Sequence, residues 1–263
     1  MVISSHMSKK KKIGTCHICL NHDVVLTKEH IPPASAFNEK TRRIFIEQIN
    51  GQKNGQAAWG KKPQQGGLWK KTLCQSCNNN TGAWYGGAYA SFVKQCAEHL
   101  VNVDRFQKIP ISFHDIYPLR IIKQIFCILC NSSDYGMVMK RPWLRAFLLN
   151  RYERHIKDFS VRIMIYLCPY RGLARSSGVA GILKTKTREI KVLSEFFYWP
   201  LGMAIVFDKT QYPEMTDISL WSESDYDDRR DVNLDLLVHP ISTAYPNDFR
   251  TQSQLAKERV ANF

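Results

Sequence analysis

A chain of 263 residues with 44% hydrophobic content is long enough to bury a sizeable core, in one large domain or two smaller ones. No apolar run approaches the roughly 20 residues a membrane-spanning helix requires, and the N-terminus lacks the apolar segment of a secretory signal, so the cytoplasm is the expected compartment. A balance of 37 Lys and Arg against 23 Asp and Glu, net +14, makes a polyanion a plausible partner.

The N-terminal "MVISSHM" has the look of vector-derived sequence, which makes Met7 the expected natural start and sets residues 1–6 aside. Lys9 to Lys12 follow as a basic tail, read either as a solvated segment or as an arm that tracks phosphates. The first 100 residues hold 14 Lys and Arg against 5 Asp and Glu, so the basic character is concentrated here.

"CHIC" then places Cys16 and Cys19 two residues apart, and "CQSC" repeats the spacing at Cys74 and Cys77. Each pair can wrap a knuckle around one side of a tetrahedral zinc, and the two together complete a four-cysteine structural site. In a reducing compartment this reading is preferred to disulfides. A third pair with this spacing, Cys127 and Cys130 in "IIKQIFCILCNSS", lies in an apolar helical run and is read as core, as are Cys96 and Cys168.

The 54 residues between the zinc pairs far exceed the roughly 12 to 20 of a compact finger, so something functional is expected in the gap. It contains Glu29-His30 in "LTKEHIPPASAF", then "NEKTRRIFIEQIN". A Gly-, Gln-, Asn- and Lys-rich stretch with two tryptophans follows, read as an extended loop or irregular hairpin. Taken alone, Glu29-His30 before two prolines could be a surface turn. His17 and His22 are expected to face solvent, and His99, His114, His155 and His239 to be structural.

After Cys77 come three asparagines and a helical face of Ala88, Tyr89, Phe92, Cys96 and Leu100. Asn78, Asn79 and Asn80 are expected at the N-terminal turn of that helix, as caps. Further helices are expected from Pro118 and from Pro142, where proline suits the first turn. Strands are expected at "SVRIMIYLC", "SGVAGILK", "REIKVL" and "EFFYWPLGMAIVFD". "YRGLARSSGVAG", with Arg171, Arg175, Ser176 and Ser177, reads as a hairpin turn rather than a phosphate loop, because it lacks the Lys-Ser/Thr ending. Residues 223–235 are locally acidic and read as a surface loop that nucleic acid would avoid.

The order Cys-x2-Cys, Glu-His, Cys-x2-Cys and Asn opening a helix resembles the HNH (His-Me finger) endonucleases whose ββα-metal site is braced by a four-cysteine zinc, the recombination endonuclease VII type among them. The resemblance covers roughly residues 14 to 95. It implies that Cys16, Cys19, Cys74 and Cys77 hold structural zinc. It further implies that Glu29, where the family has Asp or His, and Asn78 hold a catalytic Mg2+ or Mn2+, with His30 as general base. Oxygen ligands suit those hard cations, and a neutral imidazole can take a proton from an attacking water. Cleavage leaving 3'-hydroxyl and 5'-phosphate ends is also implied. The family's middle asparagine would fall near Trp69, where this chain has none; Asn79 and Asn80 are the candidates to replace it.

The expected architecture is α+β: a basic tail (1–12), a zinc-braced HNH module with a treble-clef-like ββα-metal core (13–100), and a mixed helical and antiparallel-sheet domain (101–263) for recognition or regulation. The expected function is metal-dependent hydrolysis of phosphodiesters in DNA before RNA, in restriction or phage defence, with a regulatory protein partner or a homo-oligomer as further possibilities. The competing readings are a zinc-finger module that binds nucleic acid without cutting it and a latent nuclease that needs a partner or ligand.

Overall fold

The computed structural model describes residues 11–40, 43–46, 65–100, 107–171, 173–184, 189–239, 247–250, 253–254 and 256–257. The tail up to Lys10 and most of the Gly-, Gln-, Asn- and Lys-rich stretch lie outside the described residues.

Strands β1 (Lys12–Gly14) and β2 (Val24–His30) pair antiparallel around the first cysteine knuckle. The chain then crosses to the second sheet as β3 (Arg43–Ile46) and returns as β4 (Trp69–Cys74), antiparallel to β2. Helix α1 (Gln75–Thr81) follows at once and continues through a π-helical turn (Gly82–Gly86) into α2 (Gly87–Glu98). The helix therefore begins earlier than expected. Cys74 stands at the N-cap position, and Asn78, Asn79 and Asn80 lie inside α1 instead of capping it. The start is set by the second knuckle, where the Cys74 backbone N–H donates to Cys16 Sγ at 3.4 Å, rather than by a capping side chain.

Strand β5 (Gln107–Ile116), which the sequence pattern did not announce, leads into α3 (Pro118–Ser132), α4 (Gly136–Met139) and α5 (Pro142–Leu149). Both expected helices start at their prolines. Almost all of α3 is buried, including Cys127 and Cys130, and Cys96 and Cys168 are buried as well. Lys123 is also buried in α3. Its Nζ donates to the carbonyls of Phe147, Asn150 and Arg151 at 2.7–3.1 Å, which satisfies acceptors left over where α5 ends.

The second sheet adds β6 (Arg162–Leu167), β7 (Leu173–Lys184), β8 (Glu189–Tyr198), β9 (Leu201–Val206), β10 (Thr216–Asp217) and β11 (Arg230–Val238). Its order is β3-β7-β8-β9-β6-β11-β5, with β10 on β6. Pairing is antiparallel apart from β3–β7 and β6–β11. "REIKVL" and the start of "EFFYWPLGMAIVFD" are one strand, β8, and the rest is β9, because the chain reverses at Trp199-Pro200. "YRGLARSSGVAG" is not a hairpin turn. It runs into β7 with a bulge before Gly178, whose φ of +60° suits glycine. Arg175 is buried there, 2.6 Å from Glu195, which also accepts from Tyr166. The second half of the acidic segment is β11, not a loop.

The C-terminal end of α3 carries the first sheet. His17 Nδ1 lies 3.0 Å from the Cys130 carbonyl, Lys70 Nζ donates to the Ser132 carbonyl at 2.5 Å, and Thr72 Oγ1 reaches Asn131 Oδ1 at 3.4 Å. His17 is thus half-buried rather than solvent-facing, and burial lowers its pKa. His22 is exposed. One hydrophobic cluster extends from Cys16 and Ile18 through α2 and α3 to Leu236 and Val238 in β11.

Candidate functional site

Cys16 and Cys19 lie in the turn between β1 and β2, while Cys74 ends β4 and Cys77 lies on α1. Their four Sγ atoms all lie within 4.8 Å of one another, and Cys19 Sγ is 3.9 Å from Cys74 Sγ. A tetrahedral zinc with bonds of about 2.3 Å requires its sulfurs about 3.8 Å apart, so the four-cysteine cluster can hold zinc with little adjustment. Metal-free, the sulfurs cannot share the charge. The contact with Cys77 pulls the Cys16 thiol down to about 4, and the same contact, with burial, drives Cys77 up.

Strands β2 and β4, followed directly by α1, place the three other candidate residues. The register of β2 on β4 shifts between Thr27 and Lys28; beyond the shift side chains alternate, so Glu29 takes one face and Lys28 and His30 the other, with Glu29 and His30 adjoining at the strand end. Helix α1 packs on β2 at this point, where Asn78 Nδ2 donates to Thr27 Oγ1 and to the Lys28 carbonyl, both at 2.9 Å. The Asn78 amide nitrogen is therefore committed to β2, which turns its oxygen into the group left for a ligand. Glu29 is only 9% exposed, and among the described residues its carboxylate has no hydrogen bond or cation partner. Burial alone pushes its pKa up to about 7. His30 is half-buried at the end of β2, with Nε2 3.0 Å from the Gly66 carbonyl. A carbonyl only accepts, so Nε2 carries the proton and Nδ1 is left as the basic nitrogen.

The residue that organises this end of the hairpin is one the sequence reading missed. Asn38 is fully buried; its Nδ2 donates to the carbonyls of Pro32 at 2.6 Å and Leu68 at 2.8 Å, and its Oδ1 accepts from the Leu68 N–H at 2.6 Å. It ties the loop after His30 to the residue before β4. Gly67 must be glycine for this approach: its φ is +83°, and a Cβ there would lie 2.0 Å from the Asn38 carbonyl oxygen. The neighbouring Gly66 supplies the carbonyl that orients His30. Asn38 is held from the second sheet as well, since Tyr198 donates to the Phe37 carbonyl at 3.2 Å and Phe37 packs edge-on against Trp199. The available signal was position, an asparagine eight residues after His30 in the same loop. Asn79, by contrast, accepts from Gln75 on the exposed side of α1, and Asn80 is exposed. Asn38→Ala would strand two buried backbone groups, the Pro32 carbonyl and the Leu68 N–H, each costing about 1–3 kcal/mol, while the Leu68 carbonyl keeps the Ile31 N–H. The expected result is a loss of at least about 2 kcal/mol in a denaturant titration, with zinc content unchanged.

Comparison of the chain with models of known protein families, with curated proteins and with solved structures gave no match. Among the described residues, no helix is long and apolar enough to cross a membrane.

Glu29 provides a test of the site that needs no substrate. Its carboxyl holds its proton up to about 7 when folded, against an ordinary 4.5, so the folded state binds more protons between those values and stability falls as pH rises through them. At about 1.4 kcal/mol per pKa unit the loss is about 3 kcal/mol, complete above pH 7. At pH 8, without added divalent ion, Glu29→Gln is expected to be more stable than the parent protein by about that amount. Mn2+ should narrow the difference by stabilising only the parent.

Proposed function

We propose that the protein is a metal-dependent endonuclease of the HNH type, with Glu29 and Asn78 as the ligands of a divalent ion and His30 as general base. The observation that carries this reading is the placement of Glu29: a buried acid without a cation partner among the described residues, next in sequence to the Lys28 carbonyl that Asn78 holds. A buried unpaired acid costs stability, and positions of that kind are enriched at functional sites. Two hard oxygen donors suit Mg2+ or Mn2+ better than zinc, and the thiolate cluster suits zinc better than either. When bound, such an ion supplies neutralising charge for a phosphate and for the oxygen that leaves it.

The chain's own groups divide the rest of the work. Nδ1 of His30 accepts a proton from water, while the Gly66 carbonyl fixes the ring and its tautomer. Asn38 holds the loop that positions that carbonyl and is a positioning residue. The thiolate cluster fixes Cys77, and with it the adjacent Asn78, before substrate arrives. DNA is the expected substrate before RNA, given the basic N-terminal third and the family resemblance. The test is incubation of zinc-loaded protein with supercoiled plasmid and with single-stranded DNA and RNA, in Mg2+, in Mn2+ and in EDTA. Cutting that requires a divalent ion and disappears in Glu29→Gln supports the reading. Salt-sensitive binding without cutting in any condition would replace it with the non-catalytic module.

A further inference from the structure

The face of the first sheet that carries His30 also carries an unbalanced positive charge. Lys28 is two residues before His30 on the same side of β2, and its register partner across the strands is Lys71. Trp69 is the register partner of His30, and Lys28 Nζ lies 4.9 Å from the centre of its ring. Lys12, at the start of β1, extends across to donate to the Lys71 carbonyl at 3.0 Å. Like charges directly opposite one another destabilise a sheet. Within the three strands the one carboxylate is Glu29, on the other face. Among the described residues, none of these three lysines forms an ion pair.

From this face we infer that Lys28, Lys71 and Lys12 hold a nucleic-acid backbone and lead it to the end of β2, where His30 and Glu29 adjoin. The inference rests on the nuclease reading and deepens it by naming the surface that carries the substrate. Charge complementarity selects the occupant: a row of phosphates offsets the Lys28–Lys71 repulsion, and an uncharged protein surface would not. Sequence is not read here, since lysines contact phosphates without regard to base. In sequence, the basic run from Lys9 immediately precedes β1.

The test uses the full chain carrying His30→Ala, without added divalent ion, so that binding is measured apart from cutting. Affinity for a fluorescent 20-base-pair duplex is followed from about 50 to 200 mM KCl, the range over which phosphate contacts dominate the salt dependence. Each phosphate contact contributes about 0.9 to the slope of log affinity against log salt. Adding Lys28→Ala and Lys71→Ala is expected to weaken binding and to reduce the slope by about 2, and arginine at both positions should restore it. A control pair, Lys94→Ala with Lys140→Ala, removes two exposed lysines elsewhere and is expected to leave the slope within about half of one contact. An unchanged slope in the Lys28/Lys71 variant, or an equal fall in the control, would overturn the assignment. If the face binds as stated but the parent protein never cuts, the nuclease reading fails while this surface stands.

Discussion

Replacing Cys77 by serine is expected to leave the chain without zinc and residues 11–100 without a stable fold. Four thiols within 4.8 Å of one another need a cation to ionise together, and Cys16 and Cys77 are pulled in opposite directions without one. Structural zinc sites contribute about 10–16 kcal/mol of apparent binding energy, as much as the whole stability of an ordinary domain. The cluster joins the turn after β1, the end of β4 and the start of α1, so its loss frees three segments at once. Metal analysis of the parent should give one zinc per chain, and a strong chelator should lower its melting temperature. Cys96→Ser is the control: Cys96 is buried in α2 outside the cluster, so this variant should lose some stability and keep its zinc. A zinc-free parent that melts as sharply with chelator as without would remove the zinc-braced hairpin from the account.

His30→Ala is expected to lower the cleavage rate by about 10² to 10⁴, the range a positioned general base contributes. Stability should change little, because the side chain is half-buried and makes one hydrogen bond, to Gly66. The contrast with Asn38→Ala is informative. That change also lowers activity, by releasing the Gly66 carbonyl, but through a measurable loss of stability. A variant that loses cutting and keeps both zinc and melting temperature locates the chemistry at His30 itself.

The four-cysteine cluster and the helix starts were legible because their chemistry is local. Paired cysteines two residues apart form a knuckle in any fold, and prolines 118 and 142 mark helix starts because only the first turn tolerates them. What escaped depended on partners distant in sequence. Asn38 acts through backbone groups of Leu68, thirty residues on, so its role as an organiser has no local signature. The asparagines after Cys77 looked like caps because the cap position was taken from side-chain preference, whereas the helix start is set by Cys74 at the knuckle. Arg175 sat in a turn-like sequence, yet its buried partner Glu195 belongs to the next strand, and the pair needs the sheet to exist before it makes sense. His17 lies within the first knuckle, and its hydrogen-bond partner is the end of α3, 113 residues on.

The most direct measurement is plasmid cleavage by the parent and by His30→Ala side by side, at equal zinc content, with Mn2+ and with EDTA. Nicking or linearisation by the parent that requires Mn2+ and is absent or at least about a hundredfold slower in the variant is the predicted result. Equal cutting by both proteins would place the activity outside this hairpin and contradict the account, and no cutting by the zinc-loaded parent would do the same.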